Sequence, residues 1–205
     1  MVLNIIYSNT MLTLIFNASD ETIILISKEL FETSNIPHAP NTDALLVTAI
    51  ENLLTKHNKT YQDLIQLLCI NGPGGFTTLR IFVSACNALS YSLNIPQAAM
   101  GAHQWYLSNN SNPNTIWLHS TKRDQLFIAT DENQDPQLIH LNELPTLLKE
   151  KSVAIGDLIE EHQTIIKKAG LTYIKPEVKP DSIRATIENT TFKQGLIEPW
   201  YGREG

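Results

Sequence analysis

Leu64–Leu93 reads LIQLLCI, Asn71, GPGG, then FTTLRIFVSACNALSYSL. Leu64, Ile65, Leu67, Leu68 and Ile70 form a short apolar run, which suits a strand buried on both faces. Gly72, Pro73, Gly74 and Gly75 break it sharply. Helical spacing follows: Phe76, Leu79, Val83, Cys86 or Asn87, and Ser90 lie near one stripe. Ile81, Ala85, Ala88 and Leu89 make a second apolar face. A helix apolar on two faces is covered on two faces, one by its own sheet and the other by a partner. A glycine turn between strand and helix lets an anion approach unpaired backbone N–H groups. It also serves as a plain tight turn with unusual dihedrals. Neither G-x-x-x-x-G-K-[ST] nor G-x-G-x-x-G with a suitably spaced acidic residue is present, so the tight turn is the simpler reading.

Working outward, residues 2–7, 11–16 and 22–27 read as three short strands joined by turn residues, an antiparallel meander. Residues 33–41 read as a loop. Asn41 or Thr42 caps a helix through about Lys56, with Ala44, Leu45, Leu46, Ala49, Ile50, Leu53 and Leu54 as its stripe. After a polar junction near 108–114 the order repeats. Strands are expected at 115–119, 125–130 and 137–141, a helix at about 142–150, a strand at 152–155 and a helix at about 158–169. A last helix is expected at 181–194, then a tail. Two βββαβα units in tandem predict an α/β chain with the duplicated actin-like, sugar-kinase and Hsp70-type ATPase fold. The expected division is 1–97 and 98–205.

The chain has 205 residues and a net charge of −6. That argues against gripping a nucleic-acid backbone unaided, since phosphate contacts rely on clustered Lys and Arg. Cys69 and Cys86, the two cysteines, both fall in apolar surroundings and read as buried free thiols. No signal segment or membrane-length apolar run appears, so the expected location is cytoplasmic. None of the six histidines pairs with another at metal-ligand spacing, and no serine sits in G-x-S-x-G. No catalytic residue and no metal or other cofactor is therefore expected.

Gly72–Ile81, GPGGFTTLRI, resembles GPGSFTGLRIG, a signature of the bacterial TsaB (YeaZ-like) family of tRNA threonylcarbamoyladenosine biosynthesis proteins. Pro199-Trp200-Tyr201-Gly202-Arg203 is similar to that family's terminal P-x-Y-L-R, and Val153–Asp157 to its V-G-D-G turn. The resemblance implies the duplicated fold along nearly the whole chain. It also implies a non-catalytic scaffold that binds and activates TsaD, the subunit that carries the metal and transfers threonylcarbamoyl to the adenosine beside the anticodon. TsaE would join the assembly, tRNA would be held only through it, and the chain alone would form a homodimer.

The expected partner interface is a pair of helices offering Leu46, Ile50, Leu53, Phe76, Leu79, Val83 and Cys86. The Gly-rich turn (Gly72, Pro73, Gly74, Gly75, Thr77, Arg80) and the terminal motif (Pro199, Tyr201, Arg203) are the other candidate sites. Arg80 reads either as an anion or partner contact or as a brace for the turn, with the brace favoured. Three polar family positions are replaced. Tyr7-Ser8-Asn9 are matched to a D-T-S turn, Asn41 to a helix-start His, and Ser120-Thr121-Lys122 to D-A-R. A Tyr, Ser or Asn is a poor holder of hydrated Mg²⁺. The alternative function is a self-standing nucleotide-binding phosphotransferase or ATPase of the same fold.

Overall fold

The computed structural model describes residues 11–122, 124–147, 153–175, 177 and 179–202. The expected strand at 2–7, with Tyr7-Ser8-Asn9, lies outside them, as does Arg203. The described chain forms two compact units. The first holds the residues up to Met100 together with Ile187–Tyr201, and the second holds Gly101–Thr186 and Gly202.

The first unit contains β1 (Leu12–Asn17), β2 (Thr22–Ile26), β3 (Phe31–Asn35), α1 (Thr42–Lys56), β4 (Leu64–Ile70), α2 (Phe76–Leu93) and β5 (Gln97–Met100). The second contains α3 (Ala102–Ser108), β6 (Thr115–Lys122), β7 (Gln125–Ala129), β8 (Gln137–His140), α4 (Leu144–Leu147), β9 (Val153–Asp157), α5 (Glu160–Lys168) and β10 (Thr172–Tyr173). The division of the units falls within α6 (Pro180–Asn189).

The sheets run β3-β2-β1-β4-β5 and β10-β9-β6-β7-β8. Read from the other edge, the second order is that of the first, strand for strand. β1 pairs antiparallel with β2 and parallel with β4, and β6 pairs antiparallel with β7 and parallel with β9. This duplicated plan is the expected α/β actin-like architecture.

The central strands are apolar on both faces because helices or chain cover both sides. Every residue of β1 is buried, as is all of β4 except Ile65. Leu46, Ile50 and Leu53 of α1 and Leu79, Phe82, Val83 and Cys86 of α2 pack with Leu14, Phe16, Leu67 and Cys69 in one core. The second unit has its own core, including Ile116, Leu118, Leu126, Ala154 and Ile166. Cys69 and Cys86 are buried and free, as expected.

Several elements differ from the sequence reading. β3, whose last three residues were expected as loop, is FETSN, a polar strand at the sheet edge with one side open. β5 (QAAM) and the two-residue β10 are likewise edge strands too short and too weakly apolar to announce themselves. Among the described residues each unit therefore has five strands, where three and a following fourth were expected. The first unit runs to Met100 because β5 pairs with β4. The segment 187–201, expected in the second unit, belongs to the first because hydrogen bonds tie it there. α6 ends at Asn189, short of the expected 194.

Candidate functional site

Among the described residues the first hairpin is β1–β2, and its turn is Ala18–Glu21. β1 is the middle strand that pairs with β4, and the chain leaves it through Asn17-Ala18-Ser19. Asn17 is 1% exposed, and its Oδ1 accepts the Ser19 amide at 3.2 Å. An amide oxygen committed to its own turn is a weaker partner for a hydrated cation than a carboxylate.

The Gly-rich turn follows β4. Gly72 has φ +142°, where a side chain is strained. A Cβ there would lie 2.0 Å from the carbonyl oxygen of Trp200, and one on Gly74 would lie 3.0 Å from that of Ala18. The glycines therefore admit backbone, and the backbone is the chain's own. Pro73 follows a cis peptide bond and is buried. Gly75 is the N-cap of α2. Thr78, in the first turn, donates its hydroxyl to Glu21 Oε1 at 2.9 Å. A carboxylate thus already stands at the electropositive start of the helix, where a phosphate would meet its repulsion. Thr77 is exposed.

The tail is held along α2 by a row of hydrogen bonds. Gln97 and Lys193 exchange backbone bonds at 3.0 Å each. Gln97 Nε2 donates to the Gly195 carbonyl and to Asn87 Oδ1. Asn87 Nδ2 donates to the Ile197 carbonyl at 2.9 Å, and the Ile197 amide donates back to Asn87 Oδ1 at 2.9 Å. Asn71 Nδ2 donates to the Glu198 carbonyl at 2.8 Å, and the Trp200 amide to the Asn71 carbonyl at 2.8 Å. Arg80 Nε donates to the Tyr201 hydroxyl at 3.2 Å. The Cys86 thiol donates to Gln97 Oε1 at 3.3 Å. Its contact with Cys69 first, and burial second, push its pKa well up, so it is no ready nucleophile.

These contacts answer what Pro199, Tyr201 and Arg80 do. Pro199 lies between two anchored residues, and the Tyr201 ring lies 5.2 Å from that of Phe76, tilted by 30°. Arg80 lies 4.0 Å above the Phe76 ring and donates to the Tyr201 hydroxyl, so these contacts brace the tail. The polar residues that do this, Asn71, Asn87 and Gln97, were not singled out in the sequence. A helix interior Asn facing an otherwise apolar stripe was the available signal.

The expected interface needs correction. Leu46, Ile50, Leu53, Leu79, Val83 and Cys86 are at most 5% exposed and lie in the unit's own core. A chain whose helices face its sheet spends its strongest apolar stripe there. Of the expected set only Phe76 is open, at 56%. What α2 turns outward is Thr77, Arg80, Ser84, Ala88 and Tyr91. Ile81, Ala85 and Leu89, the second face, are partly buried against the core. α1, which packs beside α2, turns outward Asp43, Ala44, Val47, Thr48 and Glu51.

In the second unit β6 and β9 end side by side, with His119 opposite Asp157. Ser120, in the matched D-A-R stretch, accepts the Ile159 amide at 3.0 Å, and its Oγ lies 2.8 Å from His162 Nδ1. Thr121 donates to the Gln125 carbonyl. These bonds brace the start of α5 against the strand end. Burial lowers the His119 pKa, with Asp157 opposing. Asn41 is the N-cap of α1 but makes no side-chain capping bond; the adjacent Thr42 hydroxyl instead donates to the Ala39 carbonyl and accepts the Ala39 amide. Among the described residues no group of three or more His, Cys, Asp or Glu is placed to hold a metal ion, and no helix is long and apolar enough to cross a membrane.

A family model described as TsaD, tRNA N6-adenosine threonylcarbamoyltransferase, matches residues 39–177. The chain belongs to this family. No curated protein sequence matches it. A solved structure from Pseudomonas aeruginosa, described as an uncharacterized protein with similarity to peptidase YeaZ, superposes with a TM-score of 0.70 at 12% identity. It covers 94% of this chain and 100% of that one. YeaZ from Pseudomonas aeruginosa matches with a TM-score of 0.50 at 16% identity, over 63% of this chain and 64% of that one. This TsaD-family chain thus has a YeaZ-like fold and is a divergent member, in line with the resemblance of Gly72–Ile81. Membership ties it, at the level of the family, to threonylcarbamoyl modification of tRNA.

Proposed function

We propose that this chain is a non-catalytic accessory subunit of tRNA threonylcarbamoyladenosine formation. It docks on a TsaD threonylcarbamoyltransferase through the outer faces of α1 and α2 and holds that subunit in its active form. TsaE joins the assembly, tRNA is bound only through it, and the chain alone pairs with itself. The role belongs in the cytoplasm, with the tRNA.

The observation that carries this reading is the filled turn at Gly72–Gly75. The family fold is kept, yet its most ligand-like turn is occupied by the Trp200 carbonyl and flanked by Glu21. The same two features weigh against a nucleotide-dependent phosphotransferase. The outward face of α2 supports docking: Ser84 and Ala88 are small, which permits close helix approach, and Phe76 and Tyr91 stand at its ends, 56% and 88% exposed. Val47 of α1 is 48% exposed.

The test is to mix the chain with the TsaD-family subunit of the same organism and measure mass by size-exclusion with light scattering. A heterodimer is expected, and Ala88→Glu should abolish it while leaving the fold intact. Charge at Val83 would not serve, because Val83 is 2% exposed and a carboxylate there would be buried without a partner. No complex at micromolar concentration contradicts the proposal.

A further inference from the structure

We infer that Arg80 is the anchor of that docking face, and that it receives a carboxylate which the partner protein presents among apolar side chains. The inference rests on the docking proposed above and says what the partner must bring.

Arg80 is the one charged residue among the eighteen of α2. It is exposed and lies on the outward stripe with Thr77, Ser84, Ala88 and Tyr91. Among the described residues no carboxylate forms an ion pair with it. Its guanidinium is nevertheless held in place. The Phe76 ring supports it at 4.0 Å, and Nε is committed to the Tyr201 hydroxyl. Phe76 and Tyr201 are themselves in ring contact, 5.2 Å apart with a 30° tilt. That leaves the two terminal nitrogens for an incoming group, and two parallel N–H bonds from a planar fork match a carboxylate.

The surroundings add to the case. A held side chain loses less freedom on binding than a free one. Apolar rings beside the cation exclude water once a partner covers them, which strengthens the ion pair. Tyr and Arg are the residue types that most often carry interface energy. The tail is part of the device: Tyr201 is delivered by a segment anchored at Asn71 and Asn87. A nucleic-acid phosphate is the poorer fit, since one arginine on a chain of net charge −6 offers no basic cluster.

The test is a binding titration against the TsaD-family subunit of the same organism at about 50 and about 300 mM salt, using wild type, Arg80→Ala, Arg80→Lys and Tyr201→Phe. Arg80→Ala should weaken binding about tenfold or more and flatten the salt dependence. Arg80→Lys should recover part of the loss, because an ammonium cannot make the paired bonds. Tyr201→Phe, which frees the guanidinium, should cost about threefold. Thermal melts of each variant check that the fold is unchanged. If Arg80→Ala binds as tightly as wild type with the same salt slope, the inference is wrong while the docking proposal stands. The same holds if the substitution weakens only self-association, or only binding of an RNA oligonucleotide. If wild type does not bind at all, it is the docking proposal that fails, and the inference falls with it.

Discussion

In both units a glycine lies near the end of a parallel strand that precedes a helix, Gly72 just past β4 and Gly156 within β9, and in both a Cβ at that glycine would lie 2.0 Å from a carbonyl oxygen. In the first unit the glycine is Gly72, φ +142°, and the oxygen belongs to Trp200 of the tail. In the second it is Gly156, φ +125°, and the oxygen belongs to Leu118, its partner in the neighbouring strand. The same residue type thus answers two demands. At Gly156 it lets two strands of one sheet approach. At Gly72 it seats a segment that arrives from more than a hundred residues later. The difference teaches that a glycine turn at a strand end is not by itself a ligand cradle; what fills it has to be found first.

Alanine at each glycine separates the two cases. Gly156→Ala forces a side chain into the sheet, where Leu118 is fully buried and cannot retreat. We expect a loss of about 3 kcal/mol or more, read from urea unfolding. Gly72→Ala clashes with a tail that can leave, so the loss should be smaller, about 2 kcal/mol. It should come with faster amide exchange at Trp200 and Ile197. Equal losses without tail release would erase the distinction. Asn87→Ala removes two bonds to Ile197 and one to Gln97. It should cost about 1–2 kcal/mol and loosen the same tail amides.

Acid gives the smallest effect and separates the units differently. His103 and His119 both lie in the second unit, and burial lowers both from the ordinary 6.5, with Asp135 and Asp157 respectively pulling upward. Between the lowered folded value and 6.5 the unfolded chain holds protons that the folded chain refuses. The stability from these groups is therefore full above 6.5 and is lost as pH falls through it. Amide protection in the second unit should decline before that in the first over this range, and His119→Gln should flatten the decline. A uniform decline would contradict it.

The strand, turn and helix at 64–93 were legible because a both-faces-buried strand and an 18-residue amphipathic helix leave strong periodicities. The helix at 42–56 was legible for the same reason. The edge strands were not: Phe31–Asn35 is mostly polar because one side of an edge strand faces water. The site was legible only in part. Two apolar faces on α2 were plain, but periodicity does not say which one the sheet takes, and Leu79, Val83 and Cys86 went to the core. The tail's seat depends on contacts between Asn71, Asn87 and residues 197–200, a separation no local pattern records.

The account's central claim is that the chain supports a transferase without performing chemistry itself. The most direct measurement is formation of threonylcarbamoyladenosine on tRNA by the TsaD-family subunit of the same organism, supplied with its activated threonylcarbamoyl donor, with and without this chain. The account predicts that modification requires the chain, is lost with Ala88→Glu, and is not produced by the chain alone. Modification that proceeds equally well without it, or that the chain carries out unaided, would contradict the account.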